Sequence, residues 1–137
     1  MIRTILNLLI VTCLLSIGHA DIRLAHIQYP FETQIFEFTS QQQDMEMVYM
    51  DLPAATDPAR GTALLLHGKN FSGSYFEATA RALSEAGFRV LMPDQIGFGK
   101  STNPAHYQYS FQQLATNTRA LLESKGIEQV HVLGHSM

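Results

Sequence analysis

The chain has 137 residues, of which 46% are hydrophobic and 15% charged, and its net charge at neutral pH is −3. This composition is typical of a globular domain and excludes an intrinsically disordered chain. Because the net charge is slightly negative and the sequence contains no run of lysine or arginine, a basic surface for nucleic acid is excluded as well.

The first twenty residues differ from the rest of the chain. Arg3 is their one charged residue, an apolar stretch from Ile5 to Ile17 follows, and Gly18-His19-Ala20 places small residues before Asp21. This three-part pattern is typical of a secretory signal peptide cleaved after Ala20. An uncleaved membrane anchor is the alternative, but the apolar run is shorter than the roughly 20 residues that a span needs. We therefore predict a signal peptide over residues 1–20.

Export has two consequences for the mature chain. The single cysteine, Cys13, lies inside the predicted signal peptide, so the mature chain from Asp21 contains none and forms no disulfide in an oxidising compartment. We expect a periplasmic or secreted protein without stable membrane association after signal cleavage.

Two segments upstream of Pro53 have strand-like patterns. Residues 31–38 alternate loosely, with Phe36 and Phe38 on one face, and predict an edge strand. Residues 45–52 alternate more regularly, with Met45, Met47 and Tyr49 on one side and Val48 and Met50 on the other. Residues 53–58 contain two prolines and predict a loop, because proline cannot continue a strand ladder.

Three apolar segments of strand length follow, at Thr62–Leu66, Phe88–Met92 and Val130–Leu133. Runs of this kind are typical of parallel strands that are buried on both faces. The order of these strands and the helices between them predicts an α/β fold with a mostly parallel sheet and right-handed crossovers.

Apolar repeats predict the two helices, and residues typical of helix caps predict where each helix begins and ends. The first has the spacing of a capping box at Ser74 and Glu77 and ends at Gly87. The second opens at Ser110, with Gln113 three residues later, and closes at Gly126.

The third apolar strand runs directly into Gly134-His135-Ser136-Met137, which is four-fifths of the pattern G-x-S-x-G. That pattern marks a sharp turn from strand to helix, which lifts the serine hydroxyl out of the sheet. A small residue at Gly134 would relieve the crowding of such a turn. An ordinary loop serine is the alternative interpretation.

His67 and Gly68 follow the first apolar strand. A nucleophilic serine needs two backbone N–H groups directed at the developing oxyanion, one from the residue after the nucleophile and one from this earlier loop. Gly68 would let the backbone approach, and Lys69 is the favoured donor, with Asn70 second. The His67 side chain is interpreted as structural, bonding the loop backbone.

The loop from Asp94 to Ser101 admits two interpretations. Gly99-Lys100-Ser101 matches the end of a phosphate-binding loop, but Asp94 stands where that motif requires its first glycine. Because a carboxylate there would repel a phosphate, we favour a structural loop that Asp94 folds beside the nucleophile strand.

Taken together, H-G, D-x-x-G-x-G-x-S and G-H-S-M occur in this order between about Leu64 and Met137, and they resemble the α/β-hydrolase superfamily in its esterase-like branch. The resemblance implies that Ser136 is the nucleophile and that the N–H groups of Lys69 and Met137 form the oxyanion hole. It implies no metal and no cofactor. The residues it assigns to structural loops are His67, Gly68, Asp94, Gly97, Gly99 and Gly134.

The implied activity is that of a serine hydrolase, which attacks an ester, lactone, amide or related carbonyl group of a small-molecule substrate through an acyl-enzyme. Dehalogenases and epoxide hydrolases of the superfamily usually carry aspartate at the nucleophile position, so Ser136 argues against them. The alternative is a non-catalytic product, or a binding module that keeps half of the fold.

The family's triad runs in the order serine, acid, histidine, so the acid and the histidine are expected after Met137. Residues 21–137 would then be the N-terminal part of the domain, inactive alone, with the strand at Val130–Leu133 as an apolar, unpaired edge. The upstream histidines are not expected to act as the base; these are His26, His106, His131 and His135.

Overall fold

The computed structural model describes residues 23, 24 and 26–136. The predicted signal peptide and Met137 lie outside the described residues. Within the described part of the chain, no helix is long and apolar enough to cross a bilayer. The elements are β1 (Thr33–Ser40), β2 (Gln43–Leu52), β3 (Gly61–Leu66), a 3₁₀ turn (Gly73–Phe76), α1 (Glu77–Glu85), β4 (Phe88–Pro93), α2 (Phe111–Ser124) and β5 (His131–Gly134).

The five strands form one sheet in the order β1-β2-β4-β3-β5. As predicted, β3 is parallel to both β4 and β5. The upstream strands join antiparallel, β2 to β4 and β1 to β2, so the sheet is mixed. Gln41 and Gln42 make the tight turn between β1 and β2, and both have the positive φ that a type I′ hairpin needs.

Each face of the sheet is covered by one helix. The connection through α1 runs from β3 to β4, and the connection through α2 runs back across β3 to β5. Because both crossovers are right-handed and run in opposite directions, the helices lie on opposite faces. On the α1 face, Phe76 and Ala80 pack among residues of β2, β3 and β4: Met50, Leu65, Val90 and Met92. On the α2 face, Leu121 packs with Ile96 and with Met45, Met47 and Tyr49 of β2.

β2 therefore contributes alternate side chains to two separate cores, in the alternation that the sequence predicts. Met45, Met47, Tyr49 and Met50 are each at most 2% exposed. Full burial of a side chain of this size contributes roughly 1.5–3 kcal/mol. The rings of Phe36 and Phe38 from β1 stack at 5.0 Å between centroids and extend the core on the α2 face.

The predicted capping box at Ser74 and Glu77 is wrong. No side chain caps α1, the Ser74 hydroxyl bonds that of Ser72 at 2.7 Å, and Glu77 pairs with Arg81 instead. The reason lies at Gly73, whose N–H is held by a carboxylate oxygen of Asp94 at 2.6 Å. The chain therefore enters the helix through a 3₁₀ turn that begins at Gly73.

The N-cap predicted for the second helix is confirmed. The hydroxyl of Ser110 accepts a hydrogen bond from the N–H of Gln113 at 3.1 Å. The Gln113 side chain does not return to the cap, as a capping box would require. It bonds Asn117 at 2.9 Å instead.

β5 lies at the edge of the described sheet and pairs with β3. Its side chains Val132 and Leu133 are 61% and 44% exposed. An apolar strand with one open edge is the arrangement expected for Val130–Leu133, although the strand begins one residue later, at His131.

Candidate active site

Ser136 stands two residues beyond the end of β5 in a conformation that side chains rarely adopt. Its φ is 69°, in the left-handed region, which is uncommon for residues other than glycine and costs conformational energy. The N–H of His135 donates to the carbonyl of Leu66 at 3.0 Å, so the pairing of β5 with β3 continues to the residue before the serine. A serine held this way is typical of a nucleophile elbow.

The loops after β3 and β5 meet at Gly68. A Cβ placed on Gly68 would lie 2.7 Å from Cβ of Ser136, 2.8 Å from the carbonyl oxygen of His135 and 3.2 Å from Oγ of Ser136. Only glycine fits this approach. Within the described residues, a Cβ on Gly134 would meet no heavy atom within 4 Å, and the close approach to Ser136 is at Gly68.

A tight turn follows Gly68. The N–H of Phe71 donates to the carbonyl of Gly68 at 3.2 Å, and Asn70 has a φ of 66°. Among the residues that the structure describes, the N–H of Lys69 donates no hydrogen bond. Lys69 directly follows Gly68, the residue that approaches Ser136, while Met137, the other predicted donor, lies outside the described residues. The two-donor oxyanion hole stays a prediction.

His67 is 1% exposed, and its ring bridges two loops. Nδ1 donates to the carbonyl of Gly68 at 2.8 Å, and Nε2 accepts from the N–H of Gln95 at 2.9 Å. Burial lowers the pKa of His67 below its usual value, because a charged ring is poorly solvated there. The ring is neutral, with its proton on Nδ1, and is engaged by backbone on both sides.

Asp94 is 1% exposed and gathers three donors. Oδ1 accepts from the N–H of Gly73 at 2.6 Å, while Oδ2 accepts from the N–H of Lys100 at 2.7 Å and from the hydroxyl of Tyr29 at 2.6 Å. A buried carboxylate is stable only when it is hydrogen-bonded in this manner. Asp94 therefore folds the loop around its own side chain.

The same loop has the wrong shape for a phosphate site. The N–H of Lys100 is directed at Asp94, and the hydroxyl of Ser101 donates to the Asp94 carbonyl at 2.7 Å. Gly97 and Gly99 have φ of 91° and 55°, and a Cβ on Gly99 would collide with Oδ2 of Asp94. The groups that would bind a phosphate are thus used within the loop.

The two histidines of the segment that leads to the serine contact aromatic rings. The ring of His135 stacks on Tyr75 at 5.3 Å, and the ring of His131 contacts Phe88 edge-on at 5.5 Å. Within residues 26–136, no histidine and no carboxylate hydrogen-bonds the hydroxyl of Ser136. Nor do the described residues bring together three histidine, cysteine, aspartate or glutamate side chains in a metal-binding group.

Two cavities lie beside these loops, and the sequence did not predict their aromatic walls. One, of about 450 Å³, is lined by Lys69, Phe98, Tyr109 and Phe111 among others. The second, of about 480 Å³, shares Phe98 and is lined by Asn70, Phe71 and Tyr75. Phe71, three residues after Gly68, and Phe98, between Gly97 and Gly99, are the sequence signals that could have indicated these walls.

A family model for the α/β hydrolase fold matches residues 63–137. The chain belongs to the α/β hydrolase fold family. The match includes the three loops that carry Gly68, Asp94 and Ser136. The predicted fold class is confirmed.

Curated relatives and solved structures of this family are hydrolases. The chain is 37% identical over 86 residues to a proline iminopeptidase of Lactobacillus delbrueckii subsp. lactis, covering 60% of this chain and 29% of that protein. It is 36% identical over 75 residues to Lipase 1 of Psychrobacter immobilis, covering 54% and 23%.

Among solved structures, a "probable hydrolytic enzyme" of Pseudomonas aeruginosa PAO1 superposes with a TM-score of 0.81 at 49% identity, covering 84% of this chain and 36% of that one. The chain thus spans about a third or less of the length of these relatives.

Proposed function

We propose that the complete protein is a serine hydrolase that cleaves an ester, lactone, amide or related carbonyl group of a small molecule, with Ser136 as the nucleophile. The observation that supports this most is the contact between the two loops. Ser136 has a φ of 69° directly after β5, and Gly68 approaches it so closely that no side chain would fit. A strained backbone at Ser136 and a crowded backbone at Gly68, both beside one hydroxyl, are typical of a functional site.

In the proposed reaction, Oγ of Ser136 attacks the carbonyl carbon while its proton passes to a general base. The tetrahedral oxyanion is stabilised by the N–H groups of Lys69 and Met137; one such donor is worth about 10²–10³ in kcat. The bond to the leaving group then breaks, the leaving group takes up the proton, and an acyl-enzyme remains. A water molecule then gives a proton to the base and attacks the acyl carbon, the bond from that carbon to Oγ of Ser136 breaks, and Oγ takes the proton back as the acid product leaves.

The base and its orienting acid are proposed to follow Met137 in the complete protein. In this family the triad follows the order serine, acid, histidine, and the matched segments cover only 29% and 23% of the two relatives. Within the described residues, the rings of His67, His131 and His135 are held by other partners. Residues 21–137 alone are therefore proposed to be inactive.

The substrate is proposed to be small, with an apolar portion. The two cavities of about 450 and 480 Å³ have the size of small-molecule sites. The aromatic walls at Phe98, Tyr109 and Phe111 favour an apolar group beside Lys69. Serine rather than aspartate at residue 136 favours a carbonyl substrate over a haloalkane or an epoxide.

A fluorophosphonate probe tests the nucleophile in the protein encoded by the complete reading frame. An activated serine attacks this electrophile, so we expect one label on Ser136 and loss of both label and ester hydrolysis in Ser136→Ala. Ser84→Ala is the matched control, because Ser84 bonds the carbonyl of Pro53 away from the site. If Ser136→Ala keeps wild-type turnover, the assignment is wrong, and if the wild-type protein neither labels nor hydrolyses esters, the non-catalytic alternative holds.

We also propose that the protein is exported and that residues 1–20 are removed. The charge at Arg3 and the small residues before Asp21 support this. Amino-terminal sequencing of the exported protein should begin at Asp21. A product that begins at Met1 in the cytoplasm would contradict the proposal.

A further inference from the structure

Tyr29 lies in the segment that precedes β1, yet it reaches the loop of Asp94. The residue is 8% exposed, and its hydroxyl donates to Oδ2 of Asp94 at 2.6 Å. The ammonium group of Lys100 lies 4.5 Å from the centre of its ring. Burial and the adjacent carboxylate raise the pKa of the Tyr29 hydroxyl, so it remains a neutral donor. Arg23 ties the same segment to the loop by donating to the carbonyl of Lys100 at 3.0 Å.

A continuous series of contacts leads from this hydroxyl to the serine. The loop that Asp94 folds also carries Gln95, whose N–H donates to Nε2 of His67 at 2.9 Å. The ring of His67 donates in turn to the carbonyl of Gly68 at 2.8 Å. Gly68 is the residue pressed against Ser136. The groups of the series from Tyr29 to Gly68 are buried, so a shift at one is transmitted to the next.

We propose that Tyr29 is a positioning residue for the loop that carries Lys69, acting through Asp94 and His67. The inference rests on the proposed serine hydrolase function. Without the hydroxyl, Oδ2 of Asp94 keeps one donor, the N–H of Lys100. A buried carboxylate that loses a donor reorients toward others, and the loop, the ring of His67 and the backbone at Gly68 follow it. Tyr29 touches no substrate, so its effect is on the placement of the oxyanion donor.

The test compares Tyr29→Phe with Tyr49→Phe in the protein from the complete reading frame. The two tyrosines are closely matched. Tyr49 is 2% exposed, its hydroxyl donates to Gln34 at 2.6 Å, and Lys125 lies 4.8 Å from its ring centre. Among the described residues, the hydroxyl of Tyr49 makes no hydrogen bond to the loop of Asp94, although its ring packs against Ile96. Both variants remove one buried hydroxyl and keep the ring.

We expect Tyr29→Phe to lower kcat about tenfold with little change in KM, because misplacing a catalytic group by a fraction of an ångström acts on the transition state. Amide hydrogen exchange at Gln95 and Phe71, whose N–H groups donate to His67 and Gly68, should become about tenfold faster in this variant. Tyr49→Phe should leave both quantities at the wild-type values. The free energy of unfolding of each variant is measured in urea, so that a loss of stability can be separated from a loss of activity.

Hydrogen exchange separates this inference from the proposed function, because it needs no turnover. If the wild-type protein hydrolyses no ester but Tyr29→Phe alone speeds exchange at Gln95 and Phe71, the proposed activity is wrong and the positioning role stands. If exchange at Gln95 and Phe71 is unchanged, or changes equally in Tyr49→Phe, the positioning role is overturned. A variant that raises KM at unchanged kcat would overturn it too, because Tyr29 would then act on substrate binding.

Discussion

Replacing Gly68 by alanine is the sharpest perturbation of the site. The added methyl carbon would lie 2.7 Å from Cβ of Ser136 and 2.8 Å from the carbonyl oxygen of His135. Carbon atoms in contact prefer about 3.5–4.0 Å, so the loops must separate by roughly 0.8 Å. One of the obstructing atoms belongs to the backbone, and therefore no rotation of a side chain relieves the collision.

Two consequences follow from this displacement. Forcing an extra carbon into a packed region costs about 1–3 kcal/mol of stability. The same movement takes the N–H of Lys69 away from Ser136, and a misplacement near 1 Å costs about 10²-fold in rate. We expect kcat/KM for p-nitrophenyl acetate to fall about 100-fold in the complete protein, measured beside urea unfolding.

Gly126→Ala is the matched control for the loss of stability. Gly126 has a φ of 65°, so alanine is strained there by about 1–2 kcal/mol, but its Cβ would meet no heavy atom within 4 Å of the described structure. This variant should lose stability and keep its turnover. Wild-type kcat/KM in Gly68→Ala, or an equal loss in both variants, would refute the close approach at Gly68 as a condition of activity.

Three further outcomes are expected. The pKa of buried His67 is lowered, so below about pH 6.5 the unfolded chain binds a proton at this residue that the folded chain does not. The free energy of unfolding should therefore fall with decreasing pH, by at most about 1.4 kcal/mol per pH unit. In urea unfolding, His67→Gln should show a flatter dependence on pH. Ser110→Ala should cost about 1 kcal/mol in urea unfolding by removing a real N-cap, whereas Ser74→Ala should cost clearly less; equal losses would contradict this. Residues 21–137 expressed alone should hydrolyse p-nitrophenyl acetate no faster than their Ser136→Ala form, and turnover that depends on Ser136 would show that a base lies within them.

Much of the fold was predictable because its signals are local. Strands buried on both faces need unbroken apolar runs, and β3 and β4 have them at the residues predicted. The alternation of β2 assigns its side chains to the two cores correctly. The motifs at Gly68, Asp94 and Ser136 follow strand ends that meet at one edge of the sheet, so their proximity follows from the topology.

The failures arose where a distant residue decides the local structure. Ser74 and Glu77 have the spacing of a cap, but Asp94, twenty residues later, holds Gly73 and changes how the helix begins. The antiparallel pairing of β2 with β4 depends on tertiary packing that no short pattern encodes.

The turn between β1 and β2 contacts a segment far away in the sequence. In the structure, the side-chain amide of Gln41 brackets the backbone of Gln108, accepting from its N–H at 2.9 Å and donating to its carbonyl at 3.0 Å. Such a contact spans 67 residues and leaves no mark in the local sequence. The polar hairpin thus braces the segment that leads to Tyr109 in the wall of a cavity.

The buried methionines of the sheet can report how often the protein opens. Met45, Met47, Met50 and Met92 are each at most 1% exposed, and the thioether sulfur is converted by peroxide to a polar sulfoxide once it is reached. Oxidants can reach these sulfurs only when the layers that cover the two faces of the sheet open. The rate of sulfoxide formation at these four positions therefore measures how often this packing opens, and a chain oxidised while open would carry polar groups that prevent it from packing again.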